Sequence, residues 1–340
     1  MAFDFIDVPA APPTVALSPG RAHRARVAVA AFFVANGAAV GSWVPHIPDK
    51  ARELHLNTAQ LGWVLLASGA GAVLAMPLAG WLTARYGSRG VSGVAACLFP
   101  LALVTVVLAP TVLSIAVALF CMGISSALMD VAMNSQGITV EGYLGRRTMS
   151  LFHGMWSIGG FTGAAVTSAL LARRVPSHSI VIATAAALIC LAVATNHWML
   201  SRAEEGSSEH PRALRPTGRL LLLGLLAFTA MLSEGSIADW SGIYLRVVRS
   251  LGPGVVGFGY AAFAAAMVVG RLTGDRVVQK TGEVRALLAG GLLAATGLLV
   301  VLTLGGFPLG LAWSMAGFAL VGLGLANASP ILYRAAGQVP

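Results

Sequence analysis

Gly80-Trp81-Leu82-Thr83-Ala84-Arg85-Tyr86-Gly87-Ser88-Arg89 is a short basic turn set between two long apolar runs. A related stretch, Gly270-Arg271-Leu272-Thr273-Gly274-Asp275-Arg276, runs on through Lys280 to Gly282. Gly80, Leu82 and Thr83 return as Gly270, Leu272 and Thr273, an offset of 190 residues. Each copy closes one apolar stretch and opens the next. That pattern points to a duplicated membrane protein whose two halves carry the same hinge-like loop.

Composition supports the membrane reading. Hydrophobic residues make up 57% of the 340-residue chain and charged residues 10%, against about a quarter charged in a soluble domain. Such a chain cannot cover a water-facing surface, so the lipid bilayer is its main solvent. The net charge of +9 is spread through short loops and forms no single patch, which argues against nucleic acid. Cys97, Cys121 and Cys190 lie in apolar runs without metal-ligand spacing, so they read as small buried hydrophobes and no metal centre is expected. The first twenty residues are rich in Pro and Ala and read as disordered. The cluster Arg21, Arg24 and Arg26 precedes an apolar run reaching about Val44, long enough to span and too long for a cleaved leader.

Ten runs have the length of about 20 apolar residues that a spanning helix needs. They cover 26–46, 59–83, 90–108, 111–137, 149–171, 179–200, 218–243, 254–273, 284–304 and 309–330. The runs are too evenly apolar for barrel strands, which alternate. Their connections alternate in charge instead: 16 of the 22 Lys and Arg fall on one side and 6 on the other. The positive-inside rule places the N-terminus, both basic turns and the C-terminus in the cytoplasm, most naturally beneath a bacterial inner membrane. Ser201 to Thr217, with Glu204, Glu205, Glu209, Pro211 and Pro216, reads as a flexible linker. The expected plan is all-α: a disordered tail (1–24), a six-helix bundle (25–200), a cytoplasmic linker (201–217) and four further helices (218–340).

Six helices, a central linker and a Gly-x-Leu-x-x-Arg-x-Gly-x-Arg loop between the second and third spans resemble the major facilitator superfamily, over roughly residues 25–334. The resemblance implies two six-helix bundles. By that standard the second bundle is incomplete, lacking its last two helices, and a non-transporting remnant is one alternative. The resemblance also implies that the loop residues Gly80, Arg85, Gly87, Arg89, Gly270, Arg271, Asp275 and Arg276 gate the cytoplasmic helix ends during alternating access. The family's loop carries an acid four residues after the first Gly. Ala84 occupies that place in the first copy, and Asp275 stands one place late in the second.

Charged groups inside spans mark candidate sites, because a carboxyl at that depth is costly unless it meets a cavity, a partner or a proton. Asp130-Val-Ala-Met-Asn134 resembles the acid-x-x-x-Asn element of fucose-permease-like transporters, which implies proton coupling at Asp130. The acid that branch carries in its first helix is absent; Asn36 and Ser42 stand there instead. The seventh span holds Glu234, Asp239, Trp240 and Tyr244, with Gly235 and Gly242 as places for a bend. Glu234 is a second coupling candidate. Trp240 and Tyr244 are candidates to stack on a sugar-like ring or to anchor at the interface. His153 opens the fifth span and is a candidate relay to Asp130 or Asn134. Trp156, Asn36 and Asn327 complete the cavity candidates, while Gly159 and Gly163 read as packing residues.

No hydrolase constellation and no phosphate-cradling loop is found, so the chain reads as neither an enzyme nor ATP-driven, with no cofactor. The resulting expectation is a proton-coupled secondary transporter of a small polar solute, sugar-like or another metabolite, working as a monomer. The Gly-Pro element that drug exporters of the family carry in the fifth helix is absent, which favours symport. Drug or metabolite efflux is the alternative.

Overall fold

A computed structural model describes residues 17–146, 148–205, 217–306 and 309–337. Among these residues the chain is helical without strands. In order the helices are α1 (Pro19–Trp43), α2 (Ile47–Glu53), α3 (Thr58–Tyr86), α4 (Ser88–Leu108), α5 (Val112–Leu144), α6 (Met149–Ala172) and α7 (Ser177–Asn196). They continue as α8 (Arg202–Glu205), α9 (Gly218–Val247), α10 (Pro253–Val256), α11 (Phe258–Thr281), α12 (Glu283–Leu304), α13 (Gly310–Leu325) and α14 (Ala328–Gly337). A 3-10 turn, Val44–His46, joins α1 to α2. Ten of these segments are long and apolar enough to cross a membrane, the number expected. Backbone groups unpaired in hydrocarbon are expensive, which is why every run resolves into helix.

Local chemistry sets the helix starts. Ser18 caps α1 and Pro19 occupies its first turn. Helix therefore begins inside the stretch expected as a tail, because the cap and the proline precede the basic cluster. Reciprocal capping boxes start α3 (Asn57 with Gln60) and α5 (Thr111 with Ser114). The helix α9 is continuous through Gly235 and Gly242, so the chain does not unwind at these glycines.

Glycines then set how closely helices approach. A Cβ on Gly37 or Gly41 of α1 would collide with the carbonyls of Trp156 or Gly160, and one on Gly159 or Gly163 with those of Val34 or Ala38. The helices α1 and α6 thus touch backbone to backbone, so Gly159 and Gly163 are packing residues as read from sequence. Gly71 and Gly123 do the same for α3 and α5, and Gly297 and Gly317 for α12 and α13.

Two apolar cores result. The first gathers Phe32, Phe33, Phe99, Leu103, Leu119, Met133 and Phe152 from α1 and α4–α6. The second gathers Tyr260, Phe263, Met267, Val301, Phe318 and Val321 from α11–α13. Val44 and Ala164 belong to the second core, while Trp240 and Ile243 of α9 pack on the first, so the cores are knit together.

The repeated turn needs a correction. Gly270–Arg276 is not a loop: it lies within α11, which runs unbroken to Thr281. The turn equivalent to Gly87 is Gly282. Both have φ 82°, with ψ 149° and 157°. Both donate to the residue four back, Thr83 (2.9 Å) and Val278 (2.8 Å). The structural offset is therefore 195 residues, not 190. Shared letters suggested the wrong register because only one residue in the turn is constrained, the glycine that must take a positive φ. Gly270 and Gly274 instead admit neighbours: Ala326 fills the space beside Gly270, and the Asn327 amide the space beside Gly274.

Candidate functional site: a buried arginine between four helices

Arg271 is 6% exposed, in the middle of the structure rather than in a turn. Its Nη1 donates to Ser157 Oγ (2.7 Å) and to the His153 carbonyl (3.1 Å). Its Nη2 faces Glu234 Oε2 at 3.5 Å, and its guanidinium lies 5.6 Å from the centroid of the Trp156 ring. Trp156 in turn donates its indole N–H to Asn36 Oδ1 (2.8 Å). Three helical turns from Arg271 on the same face of α11, Tyr260 is fully buried, its hydroxyl against Gly160. Side chains from α1, α6, α9 and α11 thus converge on one polar cluster.

The arrangement leaves several buried polar groups without a partner among the described residues. A buried arginine needs a counter-charge and saturated donors, and here the carboxylate contact is long for a charged hydrogen bond. Asn36 Nδ2, Glu234 Oε1, Tyr260 Oη and Arg271 Nε are buried with no hydrogen-bond partner among the described residues. Such orphaned groups are costly unless something else engages them in another state.

The other candidates are placed as follows. Asp130 accepts from Asn134 Nδ2 (3.1 Å) on an exposed face of α5. That face lies about 180° around the helix from exposed Cys121, so Asp130 points away from the apolar stripe of Leu113 and Val117. The His153 ring stands edge-on to Phe33 (5.3 Å), and its carbonyl serves Arg271. Trp240 packs on the first core. The Tyr244 hydroxyl donates to the Val301 carbonyl (2.7 Å). Asp239 is half-buried on α9. Arg85 lies 5.7 Å from the rings of both Trp81 and Tyr86, Arg89 is half-buried and Arg276 is exposed. The side chain of Asp275 and residues Arg147, Glu209, Pro211, Arg212, Arg215 and Pro216 lie outside the described residues.

At the end bearing the Gly87 turn is a clasp that sequence reading missed. The segment expected as flexible linker begins with α8, and both its acids are engaged. Glu205 accepts from Ser88 N (3.2 Å), Ser88 Oγ (2.7 Å) and Gln136 Nε2 (2.9 Å). It thereby supplies a carboxylate at the N-terminus of α4, beside a turn whose own acid position is Ala84. Glu204 is gripped by Arg21 through two contacts of 2.8 Å and by Ser201 N (2.7 Å). Partial burial pushes the Glu204 carboxyl up, but the Arg21 and Ser201 hydrogen bonds outweigh it and hold it at about 2. Tyr143 Oη donates to the Glu204 carbonyl (2.6 Å), and Arg202 packs on Gly87 and donates to the Arg85 carbonyl. A polar Gln136 deep in an apolar run was the available signal.

The far end is closed across the two cores. Pro45 and Ser168 pack against Gly257, Pro48 against Gly242, and Ala172 against Gly254. Arg246 of α9 faces Asp49 of α2 at 3.9 Å.

Residues 27–340 match the family model described as Major Facilitator Superfamily. An uncharacterised MFS-type transporter of Yersinia pestis is 39% identical over 95% of this chain and 82% of its own length. Membrane protein MosC of Rhizobium meliloti is 34% identical over 92% of the chain and 75% of its own. Among solved structures, a point mutant of the nucleoside transporter NupG superposes with a TM-score of 0.71 at 12% identity, covering 91% of this chain and 81% of that one. At that identity the likeness concerns the fold alone. Sequence relatives, fold and the ten apolar helices agree: the chain belongs to the major facilitator superfamily, and it is a multi-pass membrane transporter, not an enzyme.

Proposed function

We propose that the chain is a proton-coupled secondary transporter of a small polar solute, and that Glu234 and Arg271 form its coupling pair. The observation that carries this reading is the stretched Glu234–Arg271 contact amid four orphaned polar atoms where α1, α6, α9 and α11 meet. Protonation of Glu234 would release Arg271 toward a solute, while its contacts to Ser157 and Trp156 hold it in place. Solute and proton thus compete for one pair of charges, which ties their movements together. Asp130 with Asn134, and the His153 ring, are a second protonation route on the neighbouring helices.

In this reading residues 25–200 form a six-helix bundle that rocks against the helices of 218–340. The termini and α8 lie in the cytoplasm under a bacterial inner membrane, and the protein works as a monomer. The closed far end is then the outer gate, Asp49–Arg246 its latch. Asn134, Asp239 and Asn327 contribute to the cavity wall, while the Gly87 and Gly282 turns serve as the cytoplasmic gating points. The Asp130–Asn134 element groups it with the fucose-permease-like symporters in this reading.

The test is uptake into proteoliposomes under an imposed pH gradient. Labelled uridine, chosen because one fold neighbour transports nucleosides, and a set of neutral sugars are the first solutes. The wild type should accumulate at least one above its external concentration. Glu234→Gln should abolish accumulation while leaving solute exchange at equal concentrations. Gradient-driven accumulation by Glu234→Gln at the wild-type level would reject the coupling role.

A further inference from the structure

The four orphaned atoms around Arg271 differ in kind. Asn36 Nδ2 and Arg271 Nε can only donate a hydrogen bond, and Tyr260 Oη can donate one; Glu234 Oε1 accepts. The neighbouring acceptors are already engaged: Asn36 Oδ1 by the Trp156 indole, and Ser157 Oγ and the His153 carbonyl by Arg271. Tyr260 lies within electrostatic reach of both Glu234 and Arg271. The unmet demand of the cluster is therefore for acceptors. On Arg271 it falls on one edge of the guanidinium: Nε has no partner among the described residues, and Nη2 has only the 3.5 Å contact to Glu234.

Charge points the same way. Arg271 and Glu234 are 5% and 16% exposed, and as a pair they are neutral. A proton on Glu234 leaves the guanidinium as a lone buried cation, which is costly. Its neutral partners on α6, Ser157 and the His153 carbonyl, do not cancel a full charge. A neutral solute leaves that charge standing and a dianion overshoots it, whereas one carboxylate restores neutrality. A carboxylate is also the planar, two-oxygen acceptor that an arginine edge matches. Open space lies beside Gly235, the neighbour of Glu234, among the described residues. The opposite face of α11 lines an apolar groove with Phe161 of α6 and Met315 of α13, which offers a charged solute no partner.

We propose that the Arg271 cluster selects a small hydroxylated monocarboxylate, a sugar acid, over the neutral sugar of the same skeleton. The carboxylate sits on the Nε–Nη2 edge of Arg271 while the proton sits on Glu234, and the solute hydroxyls meet Asn36 Nδ2 and Tyr260 Oη. One proton and one monoanion thus replace the Glu234–Arg271 pair without changing the net charge of the site. The role of the proton rests on the coupling-pair reading, but the selectivity is read by binding alone.

Equilibrium dialysis of labelled glucuronate and labelled glucose against the purified full chain tests it. The two solutes differ only by a carboxylate in place of a hydroxymethyl group. A charge-assisted contact predicts binding of glucuronate at least about tenfold tighter than that of glucose. Glu234→Gln, which stands for the protonated acid, should tighten glucuronate severalfold and leave glucose unchanged. Arg271→Gln should bring the two solutes to equal affinity, and Arg271→Lys should restore part of the preference. Equal affinity of the wild type for both solutes overturns the inference, as does a glucuronate preference that survives Arg271→Gln or an absence of glucuronate binding at millimolar concentration. Glucuronate affinity that does not rise in Glu234→Gln also overturns it, even if Arg271→Gln does not fold. Gradient-driven accumulation by Glu234→Gln would instead reject the coupling reading and leave the selectivity standing.

Discussion

Removing either member of the Glu234–Arg271 pair should destabilise the protein, and removing both should cost less than the sum. The side chains are 16% and 5% exposed, so solvent screens the pair weakly. Breaking a buried pair by deleting one partner costs about 3–5 kcal/mol, chiefly because the other charge is left uncompensated. After Glu234→Gln, Arg271 retains Ser157, the His153 carbonyl and the Trp156 ring, which places this variant near the low end, about 3 kcal/mol. After Arg271→Gln, Glu234 loses its cation while its Oε1 already has no partner among the described residues, which places it near the upper end. The double variant buries two neutral amides, so the coupling energy should be about 2 kcal/mol or more. Reversible unfolding of the four proteins in mixed detergent micelles, followed by tryptophan fluorescence, measures the cycle. Additivity within about 0.5 kcal/mol would refute the reasoning, because it would mean that the two charges do not sense each other.

Three further outcomes are expected. Glu205→Ala should free the Gly87 turn, raising hydrogen exchange at Ser88 and Arg89 while exchange at Gly282 and Glu283 is unaffected; equal protection in variant and wild type would remove the clasp. Glu204 is held at about 2, below its ordinary 4.5, so its ionised form favours the folded state. Its contribution is complete above about pH 4.5 and is lost as pH falls toward 2, and exchange at residues 201–205 between about pH 5 and 2 should follow that course. Finally, Gly87→Ala and Gly282→Ala should each cost about 1–3 kcal/mol because both sites combine a positive φ with an extended ψ that essentially only glycine adopts. Gly80→Ala, in a helix with open space around it, should be neutral or stabilising. A loss at Gly80 as large as at Gly282 would contradict the 195-residue register.

Much of the architecture was legible in one dimension. Runs of about 20 apolar residues must become helices in lipid, since no other element satisfies the backbone there. Ten were expected and ten are present among the described residues. Short-range glycine spacing at Gly159 and Gly163 also read correctly, because four-residue periodicity directly reports one helix face. The contacts of Ser201–Glu205 and the register of the second turn were not legible in the sequence, for the same reason. A polar stretch such as Ser201–Glu205 looks flexible until Arg21, Ser88 and Gln136, distant in the chain, come within 3.2 Å of its acids. Arg271 looked like one more loop cation until α11 was seen to continue for ten further residues.

The sequence by itself determined the solvent, the number of helices and the existence of intramembrane charges, since these depend only on local hydrophobicity and length. Which charges meet was decided by the tertiary structure. Coulombic and hydrogen-bonding partners act over a few ångströms and here join residues more than a hundred positions apart, as Arg271 joins Ser157 and Trp156 joins Asn36. The glycine-mediated approach of α1 to α6 and the placing of Glu234 opposite Arg271 fix that geometry. In the same way only the folded chain shows one face of α11 meeting the polar cluster and the other lining an apolar groove.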